Sequence, residues 1–160
     1  MLPHSYAAEY GLLAAIVLHG TEAIAALEGS SLRKQDFYQP EHALLVDAIL
    51  ACKRQGMEPS WQSLAHQLVL LGAIDEVDQL VSVDAPGYNA EAWLVELMQY
   101  AAYYVPSPAF VVPTWARMVS ELAARRRKVE EAQALVREAH NGPRPLAPQP
   151  RVAAVRVRGR

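Results

Sequence analysis

Pro3-His4-Ser5-Tyr6-Ala7-Ala8-Glu9-Tyr10-Gly11-Leu12-Leu13-Ala14-Ala15-Ile16-Val17-Leu18-His19-Gly20 carries the signals of a complete helix, from cap to stop. Ser5 is a good N-cap, and Glu9 falls in the first turn, where a carboxylate complements the helix dipole. Leu12, Leu13, Ile16 and Val17 then recur at helical spacing and give the helix a face to bury, and His19-Gly20 closes it. The same three-and-four spacing runs through almost the whole chain, and no segment sustains the alternation of a strand. The pattern predicts an all-α, compact multi-helix bundle.

Working outward, Thr21 reads as the cap of a second short helix over 22–27, and Gly29-Ser30-Ser31 breaks the chain before a turn that reaches Phe37-Tyr38. Pro40 suits the first turn of a third helix, which carries His42, Leu44, Leu45, Ala48, Ile49 and Cys52 inward and stops at Gly56. Ser60 caps a fourth helix with Leu64, Leu68 and Leu71 on one face, ended by Gly72. A short helix over 75–83, turn chemistry at Asp84-Ala85-Pro86-Gly87 and a helix over 91–104 follow. Pro106, Pro108 and Pro113 are expected to forbid a continuous helix there, so the last and longest one is placed at 114–140. The expected organisation is a globular bundle over 1–112, a long helix over 113–140 and a disordered Pro/Arg tail over 141–160.

Charge divides the chain unevenly. Residues 1–120 hold 5 basic against 13 acidic side chains, a balance of −8, whereas residues 121–160 hold 10 basic against 4 acidic, a balance of +6. Arg125, Arg126, Arg127 and Lys128 continue the long helix, and Arg151, Arg156, Arg158 and Arg160 lie in the Pro-rich end. These are the candidates for contact with nucleic acid or an acidic partner. A solvated helix face and a solubilising tail are the plain alternatives, because scattered arginines carry no base-reading geometry.

Composition and motifs also exclude functions. There is no Gly-Lys-Ser/Thr phosphate loop. His4, His19, His42, His66 and His140 never pair at metal-binding spacing, and the single Cys52 builds no thiolate site, so no metal and no cofactor are expected. His42 reads as a polar contact within a helix or core rather than a ligand or base, and Asp75-Glu76 as helix-start carboxylates rather than an acid/base pair. Residues 11–18 are apolar but too few to span a bilayer, and Glu9 rather than a basic segment precedes them. No membrane contact and a cytoplasmic protein are expected.

Five sub-motifs in order carry a resemblance. They are Pro3-His4-Ser5 with Glu9; Phe37-Tyr38 with His42; Gly56 with Ser63-Leu64; Leu71-Gly72-Ala73-Ile74-Asp75-Glu76-Val77; and Pro106-Ser107-Pro108-Ala109 with Trp115-Ala116-Arg117-Met118-Val119. Over residues 2 to 130 the chain resembles the N-terminal domain of DnaB-type replicative DNA helicases. It departs from that pattern at Asp78-Gln79, where the family usually has two glycines, and at Phe110-Val111-Val112-Pro113, which replaces the family's Asn-Val lead-in to the long helix. After Gly142, Pro143, Pro145, Pro148 and Pro150 stand where the family has the second helix of a hairpin, and the motor domain has no counterpart in these residues.

The resemblance implies a stand-alone or excised non-catalytic domain that acts in DNA replication by docking to primase, a replicative helicase or a helicase loader. The expected partner-binding residues are Trp93, Tyr100, Tyr103, Tyr104, Trp115, Met118 and Leu122, because interface energy concentrates in a few aromatic and large apolar groups. Ordinary core is the alternative for each of them. A small nucleic-acid-binding protein using the Arg-rich helix and tail is the second reading, and self-association through the long helix is a third.

Overall fold

The structure, a computed structural model, describes residues 2–28, 30 and 32–142. Those residues form seven α-helices and a 3-10 turn, with no strand among them. The helices are α1 (Tyr6–His19), α2 (Thr21–Ala26), α3 (Pro40–Arg54), α4 (Trp61–Leu70), α5 (Ile74–Val81), α6 (Ala90–Tyr104) and α7 (Pro108–Asn141), and the 3-10 turn spans Lys34–Asp36. The all-α expectation is therefore met. The expected tail beyond Gly142, including Arg151, Arg156, Arg158 and Arg160, lies outside the described residues, as do Gly29 and Ser31.

Helix α1 is the axis of the fold. Ala8 through Val17 are all buried, a run that covers every side of the helix rather than one face. A helix apolar all round must be enclosed, and α6 and α7 supply most of that enclosure. His19 Nε2 donates to the Val105 carbonyl at 2.6 Å, and the Tyr10 ring meets Tyr100, so α6 runs beside α1 in the same direction. Trp115 lies on Gly11 while Arg126 reaches Pro3, so α7 returns antiparallel along the other side. Cys52 is fully buried on α3, and burial pushes its thiol pKa up, consistent with a small core hydrophobe.

Several helix ends follow local chemistry, at Ser5 and Ser60 as expected and at Asn89 as a cap that the structure identifies. Ser5, Ser60 and Asn89 each accept from the amide three residues on, at Ala8, Ser63 and Ala92. Gly56 and Gly72 take positive φ after α3 and α4. Helix α2 differs. Its cap position is Gly20, at φ 55 and ψ −124, and the acceptor for the Thr21 amide is Glu58 Oε1 at 2.9 Å, so Thr21 is not the cap. Helix α5 runs from Ile74 to Val81 rather than over 75–83.

The long helix begins at Pro108, six residues before the expected start, and carries Pro113 within it. Pro108 occupies the first turn, where a missing N–H costs nothing. The bond lost at Pro113 would have gone to the Ala109 carbonyl. Ala109, Phe110, Pro113 and Thr114 are all exposed, so water can take over that carbonyl. Beyond Arg126 no α7 residue is buried, and about 15 residues, or ~22 Å at 1.5 Å each, project past the body.

Asp78, one of the departures from the helicase pattern, has acquired a structural task. Its Oδ1 accepts from the Ala90 amide at 2.7 Å and satisfies an N-terminal donor of α6 that Asn89 does not reach. Asp78→Ala is expected to lower stability by about 1 kcal/mol, the usual loss for a capping group. A denaturation midpoint equal to that of the parent would contradict this.

Candidate functional site

The surface between α1 and the second half of α6 is a groove of about 610 Å³. Tyr6, Ala7 and Tyr10 of α1 form one wall, and Glu96, Gln99, Tyr100, Tyr103 and Tyr104 of α6 form the other. Four-residue spacing places Tyr6 and Tyr10 on one side of α1, with ring centroids 5.5 Å apart. The Tyr10 ring then meets Tyr100 edge-on at 5.1 Å, Tyr100 meets Tyr104 at 4.8 Å, and Tyr104 meets Tyr103 at 4.8 Å. Five rings form one continuous row. Tyr103 is 81% exposed and Tyr104 is 60% exposed. Burial, then the Glu96 carboxylate, pushes the Tyr10 hydroxyl pKa up. Burial, then Glu41 and Glu96, does the same for Tyr6. Glu96 also accepts from the Tyr88 hydroxyl. The groove thus offers aromatic faces and one carboxylate, with no basic side chain among the described residues that line it.

Behind the groove lies a buried polar knot. Glu9, 1% exposed, accepts from the Tyr38 amide at 2.7 Å, the Gln39 amide at 3.3 Å and His42 Nδ1 at 2.8 Å. A carboxylate on α1 thereby caps α3, whose own cap position Gln39 supplies no side-chain bond. The His42 ring lies parallel to Trp93 at 6.0 Å, and its Nε2 has no hydrogen-bond partner among the described residues. His4 stacks on Tyr38 at 4.1 Å, and the Arg126 guanidinium sits 5.6 Å from the centre of the same Tyr38 ring. Pro3-His4-Ser5, Glu9, Tyr38 and His42 therefore converge on one place, although up to 39 positions separate them in sequence.

A family model described as the DnaB-like helicase N terminal domain matches residues 1–121, more than half of the chain. The chain belongs to that family. The crystal structure of the N-terminal domain of DnaB helicase from Mycobacterium tuberculosis matches with a TM-score of 0.72 and 28% identity, covering 89% of this chain and 88% of that one. No curated protein matches the chain. This DnaB-like domain corresponds to the non-motor, N-terminal part of a replication helicase, and its fold is the all-α one that the sequence motifs implied.

Within the DnaB-like domain the expected contact residues separate into groups. Tyr100, Tyr103 and Tyr104 sit together on the groove. Trp93 does not: it is 4% exposed and belongs to the core beneath it. Trp115 is half-buried against Gly11, Leu122 is half-buried, and Met118 is 40% exposed on α7. Of the basic run, Arg125 and Lys128 are exposed. Arg126 is 6% exposed and donates to the carbonyls of Pro3, at 2.9 Å, and Asp36, while Arg127 pairs with the buried Asp36 carboxylate at 2.9 Å. These two arginines fasten α7 to the N-terminal segment and the 3-10 turn: Arg126 is committed inside the domain, while Arg127 stays exposed beside its pairing with Asp36. Tyr6, Tyr10, Glu96 and Gln99 complete the groove and were not among the expected contact residues. The i,i+4 pair Tyr6/Tyr10 was the available signal.

Among the described residues, no cluster of three or more His, Cys, Asp or Glu is placed to hold a metal ion. None of the described helices is long and apolar enough to cross a membrane. Arg126→Ala is expected to cost about 2 kcal/mol, because two carbonyls lose a charged donor and the ring of Tyr38 loses its cation. Urea denaturation measures this, and a loss within experimental error of zero would show that the α7 fastening contributes nothing.

Proposed function

We propose that this chain is a non-catalytic, cytoplasmic docking domain that acts in DNA replication through contact with primase, a replicative helicase or a helicase loader. The observation that carries the proposal is the row of five tyrosine rings, open to solvent at Tyr103 and Tyr104 and mounted on a rigid pair of helices. Interface energy concentrates in such aromatic groups, which are large and lose little conformational freedom on binding. Membership of the DnaB-like helicase N-terminal domain family supports the replication context. The nucleic-acid reading has less support, because Arg126 is buried on two carbonyls and Arg127 is paired with the Asp36 carboxylate. Self-association through α7 is favoured by one observation: Val129, Leu135 and Val136 are exposed on the part that projects past the body.

The test is a pull-down of the full chain against purified primase, replicative helicase and loader at physiological salt, with naked DNA alongside. Retention of one of the proteins is expected. Retention of DNA alone, or of nothing at tens of micromolar, would contradict the docking reading. Light scattering on the same sample checks the α7 reading, and a monomer at high concentration would exclude it.

A further inference from the structure

We infer that the tyrosine groove is occupied by this chain's own arginine tail, residues 143–160, bound in cis. The groove has the chemistry of a guanidinium site. Tyrosine faces carry negative quadrupole potential, Glu96 supplies the one charge in the lining, and Glu41 adds negative field at Tyr6. That combination repels phosphates and carboxylates, which makes an acidic peptide or a nucleic acid a poor occupant.

The tail has the complementary chemistry. Residues 143–160 contain five arginines and no Asp or Glu, whereas residues 1–120 carry a balance of −8. Val155-Arg156-Val157-Arg158 presents apolar and cationic side chains in turn, which suits rings interrupted by a carboxylate. The domain already uses the same contact nearby, since Arg126 lies over Tyr38 in the one cation–π pair among the described residues.

Reach is sufficient. Arg126 holds Pro3, three residues from Tyr6 at the groove's edge, and α7 runs about 22 Å further before the tail begins. Eighteen residues extend to about 60 Å, enough to fold back over that length. Occupation in cis deepens the docking reading given above, on which its regulatory meaning rests: a partner reaches the tyrosines by displacing the tail. The occupation itself is measured without any partner, so either idea can fail alone.

Limited trypsin digestion of the full chain at low salt provides the test. Cleavage after Arg151, Arg156 and Arg158 is expected to be about fivefold slower than in the Tyr103→Ala/Tyr104→Ala variant, as one or two exposed cation–π contacts would give. The protection should vanish in high salt and be the same at all protein concentrations. Equal cleavage of parent and variant would overturn the proposal. Protection that grows with concentration would also overturn it, by assigning the groove to the tail of a second copy. As an independent check, full-length Arg156→Gln/Arg158→Gln/Arg160→Gln should shift the ring-proton resonances of Tyr103 and Tyr104, and unchanged resonances would count against occupation.

Discussion

Glu9→Ala is expected to destabilise the domain by about 4 kcal/mol, the largest loss from any single truncation considered. The carboxylate satisfies three donors at once: the part-buried amides of Tyr38 and Gln39, and the buried His42 Nδ1. Truncation leaves all three unpaired at a site that is 1% exposed, where water cannot replace the lost oxygens without opening the core. Each orphaned group costs roughly 1–3 kcal/mol, so the sum exceeds what the removed methylene and carboxyl contribute by packing. Glu9→Gln keeps one acceptor oxygen and the volume, and about half of the loss should return with it. Urea denaturation with an unchanged m-value reads both. A loss below about 1 kcal/mol for Glu9→Ala would mean that the knot does not hold α3 to α1.

Gly11→Ala is expected to destabilise by about 2–3 kcal/mol, in the range of overpacked cores. In an ordinary helix this change would stabilise, by up to ~1 kcal/mol, because alanine has the better propensity. Here the added Cβ would lie 2.8 to 2.9 Å from three atoms of the Trp115 ring, which is rigid and rests on α7. The sign of the effect therefore decides between propensity and packing. Thermal melting gives the sign, and a red-shifted tryptophan emission would show the ring displaced from α1. Replacing Trp115 with Leu in the same chain should recover part of the loss. A melting point above that of the parent would contradict the close approach of α1 and α7.

The parts of this fold that were legible in the sequence are those written locally. Ser5, Ser60, Gly56 and Gly72 each act within a few residues of their position, so the start of α1, the end of α3 and both ends of α4 could be placed from the chain alone. The helicase-type motifs were legible as a pattern, but their purpose was not. Glu9 and His42 are 33 positions apart, and only the packed bundle reveals that one caps the helix carrying the other. The α2 cap failed for the same reason, since Glu58 arrives from 37 residues away. Pro113 misled because a proline usually ends a helix, whereas here the unpaired carbonyl faces solvent.

Arg125-Arg126-Arg127-Lys128 reads as one solvated run, yet a helix turns 100° per residue and aims Arg126 inward. The site was half legible. Tyr100, Tyr103 and Tyr104 stand out in the sequence as aromatic contact candidates, whereas Tyr6 and Tyr10 join them only once α1 packs beside α6.

The central claim is that the tyrosine groove is a docking surface, and calorimetric titration of the partner retained in the pull-down tests it most directly. Parent and Tyr103→Ala/Tyr104→Ala are compared at physiological salt, with stability expected to stay within about 0.5 kcal/mol because both rings are exposed. The account predicts that the variant binds at least tenfold more weakly, corresponding to the loss of one or two aromatic contacts of about 1 kcal/mol or more each. Equal affinity for parent and variant would place the docking surface elsewhere on the domain and contradict the account.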